Sequence, residues 1–215
     1  MMNNLIRILL DRGIRISDVY SILRLTWLKC RLGRCVTFQS LTVQLESSTV
    51  IRVDTMSHIA FGHLVHIRTG TEVQARDGAR LRIGDRVFIN KNCMIVARCD
   101  MEIGANSILG EDVSIYDHNH CYSDLTIPFR DQEFCGRHIS IGKNVWIGCK
   151  VFIGPGVTIG DNVVIGACTV ITKSIPPNTI VYSKTTLTMR PLPTEDAHDA
   201  PASIWRDVSE EEHGQ

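Results

Sequence analysis

The chain has 215 residues, of which 44% are hydrophobic and 6% aromatic, an ordinary composition for one globular domain that sets aside a largely disordered chain and an aromatic base-stacking platform. Its 23 Lys and Arg balance its 23 Asp and Glu, so no global charge draws it onto nucleic acid. No stretch approaches the roughly 18–20 apolar residues that span a bilayer, and the run Leu5–Leu10 is short and broken by Arg7, so the expectation is a cytoplasmic protein without a secretory signal.

Residues 1–49 come first and are basic, with Arg and Lys outnumbering Asp11 and Asp18 over the first 35 positions and apolar residues between them. Two readings stand for this partly helical stretch: a cap on the structure that follows, or an amphipathic element touching the cytoplasmic face of an anionic inner membrane.

From about residue 50 to 182 the pattern changes. Isoleucine recurs every six residues at Ile141, Ile147, Ile153, Ile159, Ile165 and Ile171, and glycine follows the first five. Val145, Val151, Val157 and Val163 form a second series, and Ile83, Ile89, Ile95, Ile103, Leu109 and Ile115 carry the step towards the N-terminus with one slip. A period of six matches neither a 3.6-residue helix nor an unbroken strand. It fits short flat segments that each bury one aliphatic, joined by corners where glycine relieves unusual dihedrals. Three segments close an 18-residue triangular coil, and about six coils stack into a parallel β-helix, an all-β fold. Eight cysteines without a CxxC read as free thiols, with Cys93, Cys149 and Cys168 acting as small hydrophobes inside the repeat.

The rhythm breaks once. Ile115-Tyr-Asp-His-Asn-His120 leads into residues 121–138, which lack the six-residue step before Ile139 restarts it. A loop ejected from a solenoid is a usual wall for a binding site, and Asp117, His118 and His120 stand at its root. In an extended segment the two imidazoles share one face. Beyond residue 182 the chain turns acidic, with Pro191, Pro193 and Pro201 breaking it up, and reads as a flexible tail.

The block Ile141–Pro177 (IGKNVWIGCKVFIGPGVTIGDNVVIGACTVITKSIPP) closely resembles the hexapeptide-repeat acyltransferases, and IYDHNHCYSD followed by IGKNVWIG resembles the sugar and polysaccharide O-acetyltransferases among them. The resemblance implies a left-handed parallel β-helix, a homotrimer with active sites at subunit interfaces, acetyl-coenzyme A as co-substrate, and no metal. It implies His120 as the general base, Trp146 near the thioester and Asn90 towards the acceptor sugar. Asp117 or a backbone carbonyl would orient the imidazole, and His118 is the second candidate, either as base or towards the acceptor. It places Cys149, Ala167, Thr172 and Lys173 along the coenzyme, beside Trp146 and the small residues Gly148 and Gly166; Lys184 and Arg190, beyond the matching block, offer cations for its phosphates. The glycine-x-proline turn usual in the family after the last strand is absent from Ile180–Arg190, so the chain departs from the family pattern at the adenine end.

Repeat phase adds that His120 and Trp146 fall on different corners of the prism, about one 16 Å face apart at roughly 3.3 Å per residue. The expectation is that one site combines His120 and Trp146 from neighbouring subunits. The implied activity is O-acetylation of a saccharide hydroxyl in capsule, exopolysaccharide or lipopolysaccharide assembly. Alternatives are N-acetylation of a nucleotide-linked amino sugar, O-acetylation of serine or an antibiotic, a zinc hydratase drawing on His58, His63, His66, His118 and His120, and a non-catalytic scaffold.

Overall fold

The structure, a computed structural model, describes residues 16–184. The chain divides into two compact units, Met1–Ser183 and Lys184–Gln215. Of the second only Lys184 is described, so the acidic extension and Arg190 lie outside the described residues, as do residues 1–15.

Strands are numbered along the chain, and all but one outlying antiparallel pair fall into three parallel sheets, the faces of a triangular prism. Face one stacks β1 (Val36–Phe38), β4 (His58–Phe61), β7 (Arg80–Ile83), β10 (Met101–Ile103), β15 (Ile139–Ile141) and β18 (Thr158–Ile159). Face two stacks β2 (Gln44–Leu45), β5 (His66–Ile67), β8 (Phe88–Ile89), β11 (Ile108–Leu109), β16 (Trp146–Ile147), β19 (Val164–Ile165) and β21 (Ile180–Val181). Face three stacks β3 (Val50–Val53), β6 (Glu72–Ala75), β9 (Met94–Ala97), β12 (Ser114–Tyr116), β17 (Phe152–Ile153) and β20 (Val170–Ile171). The result is a β-solenoid of about six turns.

The sixfold period is the length of one side. In each short strand one aliphatic points inward, and Ile89, Ile147 and Ile153 are completely buried while Ile141, Ile159 and Ile165 are 1% exposed. β-Branched side chains suit these pleated walls because their restricted χ1 loses little on ordering. Equivalent residues stack in register, as in Leu109 to Ile147 to Ile165 on face two.

The glycines do something other than the expected work. Those after the repeat isoleucines have negative φ; the left-handed residue comes two places later, at Asn144, Lys150, Asn162 and Cys168. Glycine is needed for close approach instead. A Cβ on Gly148 would stand 2.6 Å from the Ala167 nitrogen, and one on Gly142 would stand 2.7 Å from the Asp161 nitrogen. Asparagine suits the left-handed positions because its short amide tolerates that conformation, and here the amides also chain together: Asn144 Nδ2 donates to Asn162 Oδ1 at 2.8 Å, and Asn162 Nδ2 to Asn178 Oδ1 at 3.0 Å.

The coils begin at Val36, earlier than the visible repeat, because the first coil buries Val36, Val43 and Leu45 without the Ile-Gly signature. Above it lies the helix α1 (Ile16–Leu32), which buries Leu25 and Leu28 in the core. Its basic residues bond the first coil. Arg24 donates to the carbonyls of Glu46 and Thr49, and Lys29 Nζ donates to the Val36 carbonyl at 2.7 Å. This is a cap that covers an open end and satisfies its carbonyls. No helix among the described residues is long and apolar enough to cross a membrane.

Two expectations about cysteine need correction. Cys121 and Cys135 form a disulfide, their Cα atoms 5.3 Å apart, because the ejected segment folds back on itself as a hairpin. Cys93 is buried, its thiol pushed up to about 11 by burial, but Cys149 and Cys168 are exposed, since they sit at corners and not on strands.

Candidate active site

After Tyr116 the chain leaves face three and forms β13 (His118–His120), which pairs antiparallel with β14 (Phe134–Gly136) outside the prism. Asp117, at the root, is fully buried. Its carboxylate accepts the main-chain N–H of Arg98 at 2.9 and 3.1 Å and that of Cys99 at 2.8 Å. The Asp117 carboxylate also lies 2.9 Å from His118 Nδ1. A carboxylate that already receives main-chain donors acts as acceptor towards the imidazole, so Nδ1 is the donor of this bond, and in the neutral ring the lone pair is then on Nε2. His118 is buried, with the Tyr116 ring at 5.9 Å and the Phe134 ring at 5.3 Å from its own. The Tyr116 hydroxyl is held above its ordinary pKa by burial, with the Glu72 charge adding to it.

His120 is exposed and has no hydrogen-bond partner among the described residues; its ring lies 4.3 Å from that of Phe134, its register partner across the hairpin. The orienting carboxylate therefore serves His118. The Arg137 N–H donated to the Asp117 carbonyl at 2.8 Å closes the hairpin at its root, the Gly156 N–H donated to the Arg137 carbonyl at 3.1 Å ties that root to a coil, and Gly136 is needed there because a Cβ would meet Cys99 Sγ at 2.5 Å and the Asp117 carbonyl oxygen at 2.9 Å. Burial and the nearby Asp117 and Asp100 charges keep the Cys99 thiol above its ordinary pKa.

The remaining candidates sort onto two edges. Asn90, Gly148, Cys149, Gly166 and Ala167 follow strands of face two, on the edge shared with face three. Thr172 and Lys173 follow β20 on the edge between faces three and one, the edge from which the hairpin leaves. They line a cavity of about 370 Å³ with Tyr182 and Ser183. Trp146 points outward from face two, 58% exposed, between Ile108 and Val164. Within one chain Trp146 lies on face two, while His118 and His120 leave the prism at the edge between faces three and one. Asn90 is not the left-handed corner residue; Asn92 is. Its Oδ1 instead accepts the Lys91 N–H at 3.0 Å and Arg68 Nη1 at 3.2 Å.

Arg68 belongs to a small network with Glu46 and His66. Burial pushes the Glu46 carboxyl up, but the Thr69 N–H, His66 and Arg68 outweigh it and hold the group below the usual carboxylate range. His58 bonds Thr37 on face one while His66 faces Glu46 on face two, so the first histidines do not converge. Sequence reasoning missed Arg98, Phe134 and the disulfide. The available signal was that Cys121 and Cys135 bracket the arrhythmic segment.

Residues 138–173 match the bacterial transferase hexapeptide (six repeats) family. A probable acetyltransferase of Mycobacterium tuberculosis is 33% identical over 87 residues, 40% of this chain, and the match spans 29% of that relative's length. Among solved structures, AntD, an N-acyltransferase from Bacillus cereus in complex with dTDP and 3-hydroxybutyryl-CoA, is 18% identical and shares the fold with a TM-score of 0.61, covering 74% of this chain and 83% of that one. A maltose O-acetyltransferase from Clostridium difficile 630 is 30% identical over 78% of this chain and 81% of its own, with a TM-score of 0.49.

Proposed function

We propose that this chain, which belongs to the hexapeptide-repeat transferases, is an acetyltransferase that moves an acetyl group from acetyl-coenzyme A to a hydroxyl of a sugar or polysaccharide in the cytoplasm. One observation carries the reading: a buried imidazole whose Nδ1 is committed to a buried carboxylate, leaving Nε2 free at the root of an ejected wall. The base is then His118, in place of the His120 that the resemblance indicates. His120, exposed on the hairpin, stands on the acceptor side.

In this scheme His118 Nε2 takes the proton of the acceptor hydroxyl as its oxygen attacks the thioester carbonyl. Asp117 steadies the imidazolium that forms. The tetrahedral intermediate expels the coenzyme thiolate, the C–S bond breaks, and the imidazolium returns its proton to sulfur, so the products are an acetyl ester and free coenzyme thiol. The coenzyme fits the exposed corner residues Cys149 and Ala167, where small side chains let a pantetheine chain approach the backbone, while Gly148 and Gly166 let those coils stack closely beneath it; the Lys173 ammonium suits a phosphate. Cys149 and Ala167 stand on a different edge from the His118 hairpin, whereas Lys173 shares the hairpin's edge; the separation of Trp146 from the hairpin supports a homotrimer in which one protomer's hairpin faces the Trp146 side of the next.

The test is labelled acetyl-coenzyme A incubated with the protein and a panel of glycans, serine and nucleotide-linked amino sugars. The expected product is a glycan carrying an alkali-labile ester. An alkali-stable amide on an amino sugar would replace this reading with N-acetylation, and no transfer with no coenzyme binding would overturn it.

A further inference from the structure

We infer that Phe134 is a positioning residue for the catalytic imidazole and that Arg98 holds Phe134 in place. The inference rests on the acyl-transfer reading above and deepens it. Asp117 fixes one atom of His118, and a single hydrogen bond leaves the imidazole plane free to tilt about it. Two aromatic rings limit that tilt. Phe134 meets His118 edge to face, with planes 80° apart at 5.3 Å, and Tyr116 meets it at 65° and 5.9 Å. Tyr116 belongs to face three and is set by coil stacking. Phe134 belongs to a three-residue strand outside every face, so something else must set it.

Three contacts do so. The ladder pairs Phe134 with His120, and the Cys121–Cys135 bond crosses the hairpin diagonally at that rung, joining the residues that follow His120 and Phe134 in the chain. The third is Arg98, whose guanidinium carbon lies 3.5 Å from the centre of the Phe134 ring. Arg98 is placed well for this. Its N–H is bound by the Asp117 carboxylate, its side chain pairs with Asp77, and it is only 21% exposed. One residue thus touches both ends of the arrangement, with its main chain on the carboxylate that orients His118 and its side chain on the ring that walls it. A cation over an aromatic face is favourable and directional. Because His120 also rests on Phe134, the same ring spaces the base from the acceptor-side histidine.

The experiment compares Phe134→Leu, Phe134→Tyr and Arg98→Met with the parent chain. The readouts are the histidine ring signals in nuclear magnetic resonance, which report tautomer and ring-current shift, and kcat and KM for acetyl-coenzyme A. Phe134→Leu is expected to remove the ring-current shifts of His118 and His120 and to lower kcat roughly 10- to 100-fold, with KM for the coenzyme within about 2-fold, because misplacing a reacting group by about 1 Å costs that order of rate. Phe134→Tyr keeps the ring and should restore both readouts. Arg98→Met leaves the N–H to Asp117 and removes only the stack and the Asp77 pair, so the same signals should move by less. Histidine signals unchanged in Phe134→Leu overturn the inference, whatever the chain acylates. Signals that move as expected in a protein that transfers no acetyl group support the positioning and count against the acyl-transfer reading alone.

Discussion

The coils and the hairpin are built on opposite plans. In a coil each inward aliphatic is boxed by equivalents above and below, as Ile147 is between Leu109 and Ile165, so position is set many times over by repetition. The hairpin has no such neighbours. Three residues pair with three, one covalent bond closes them, and Leu125 and Tyr122 in its loop are 85% and 75% exposed. Repetition gives rigidity but only equivalent positions, and a reaction needs a unique one. The chain obtains it by interrupting the repeat at a buried aspartate, Asp117, whose carboxylate is bound by the preceding coil.

The largest expected effect tests whether chemistry belongs to the interruption. His118→Ala should lower kcat by about 10²- to 10⁴-fold, the usual contribution of a positioned base, while His120→Ala should cost much less; steady-state kinetics on purified variants decide, and the reverse ranking would return the role to His120. Next is a contrast in stability, read by urea denaturation. Ile147→Ala opens a cavity in the boxed core and should cost about 2–5 kcal/mol, whereas Leu125→Ser in the loop should stay within about 0.5 kcal/mol.

A finer contrast lies within the coils. Gly148→Ala drives a methyl towards the Ala167 nitrogen and should cost about 1–3 kcal/mol, the usual range for overpacking. Gly154→Ala meets nothing nearer than the Phe152 ring at 3.3 Å, a side chain with room to move, and should lower the thermal midpoint far less. The smallest effect concerns Glu46, whose carboxyl is held below its ordinary value. A group with a depressed folded-state pKa contributes stability above its unfolded value of about 4.3 and loses it as the pH falls through the folded one. The parent chain should therefore be more stable than Glu46→Gln to urea at pH 7, by under about 1 kcal/mol for so exposed a pair, and the gap should close as the pH falls below about 4.3.

Much of this was legible beforehand. One aliphatic every six residues is enough to specify short strands, inward faces and stacking, because each strand is local and each coil repeats the last. The ejected segment was visible as a loss of rhythm. The first coil was not, since Val43 and Leu45 bury as well as isoleucine without advertising the period. Nor was the work of the repeat glycines, because their sequence signal is the same whether they serve a positive φ or a close approach, and only the stacked neighbour distinguishes them.

The sequence by itself determined the prism, its period and the point where it opens, since these follow from the spacing of apolar side chains. The tertiary structure alone decided which histidine has a carboxylate, that Cys121 bonds Cys135, and that Arg98 lies on Phe134. Whether a side chain has a partner is set by which edges the coils bring together and how the hairpin folds back. The Arg98 and Asp117 contact joins residues one turn apart, and the Arg98 and Phe134 contact needs both that turn and the ejected loop. No spacing along the chain encodes that meeting until the solenoid has closed.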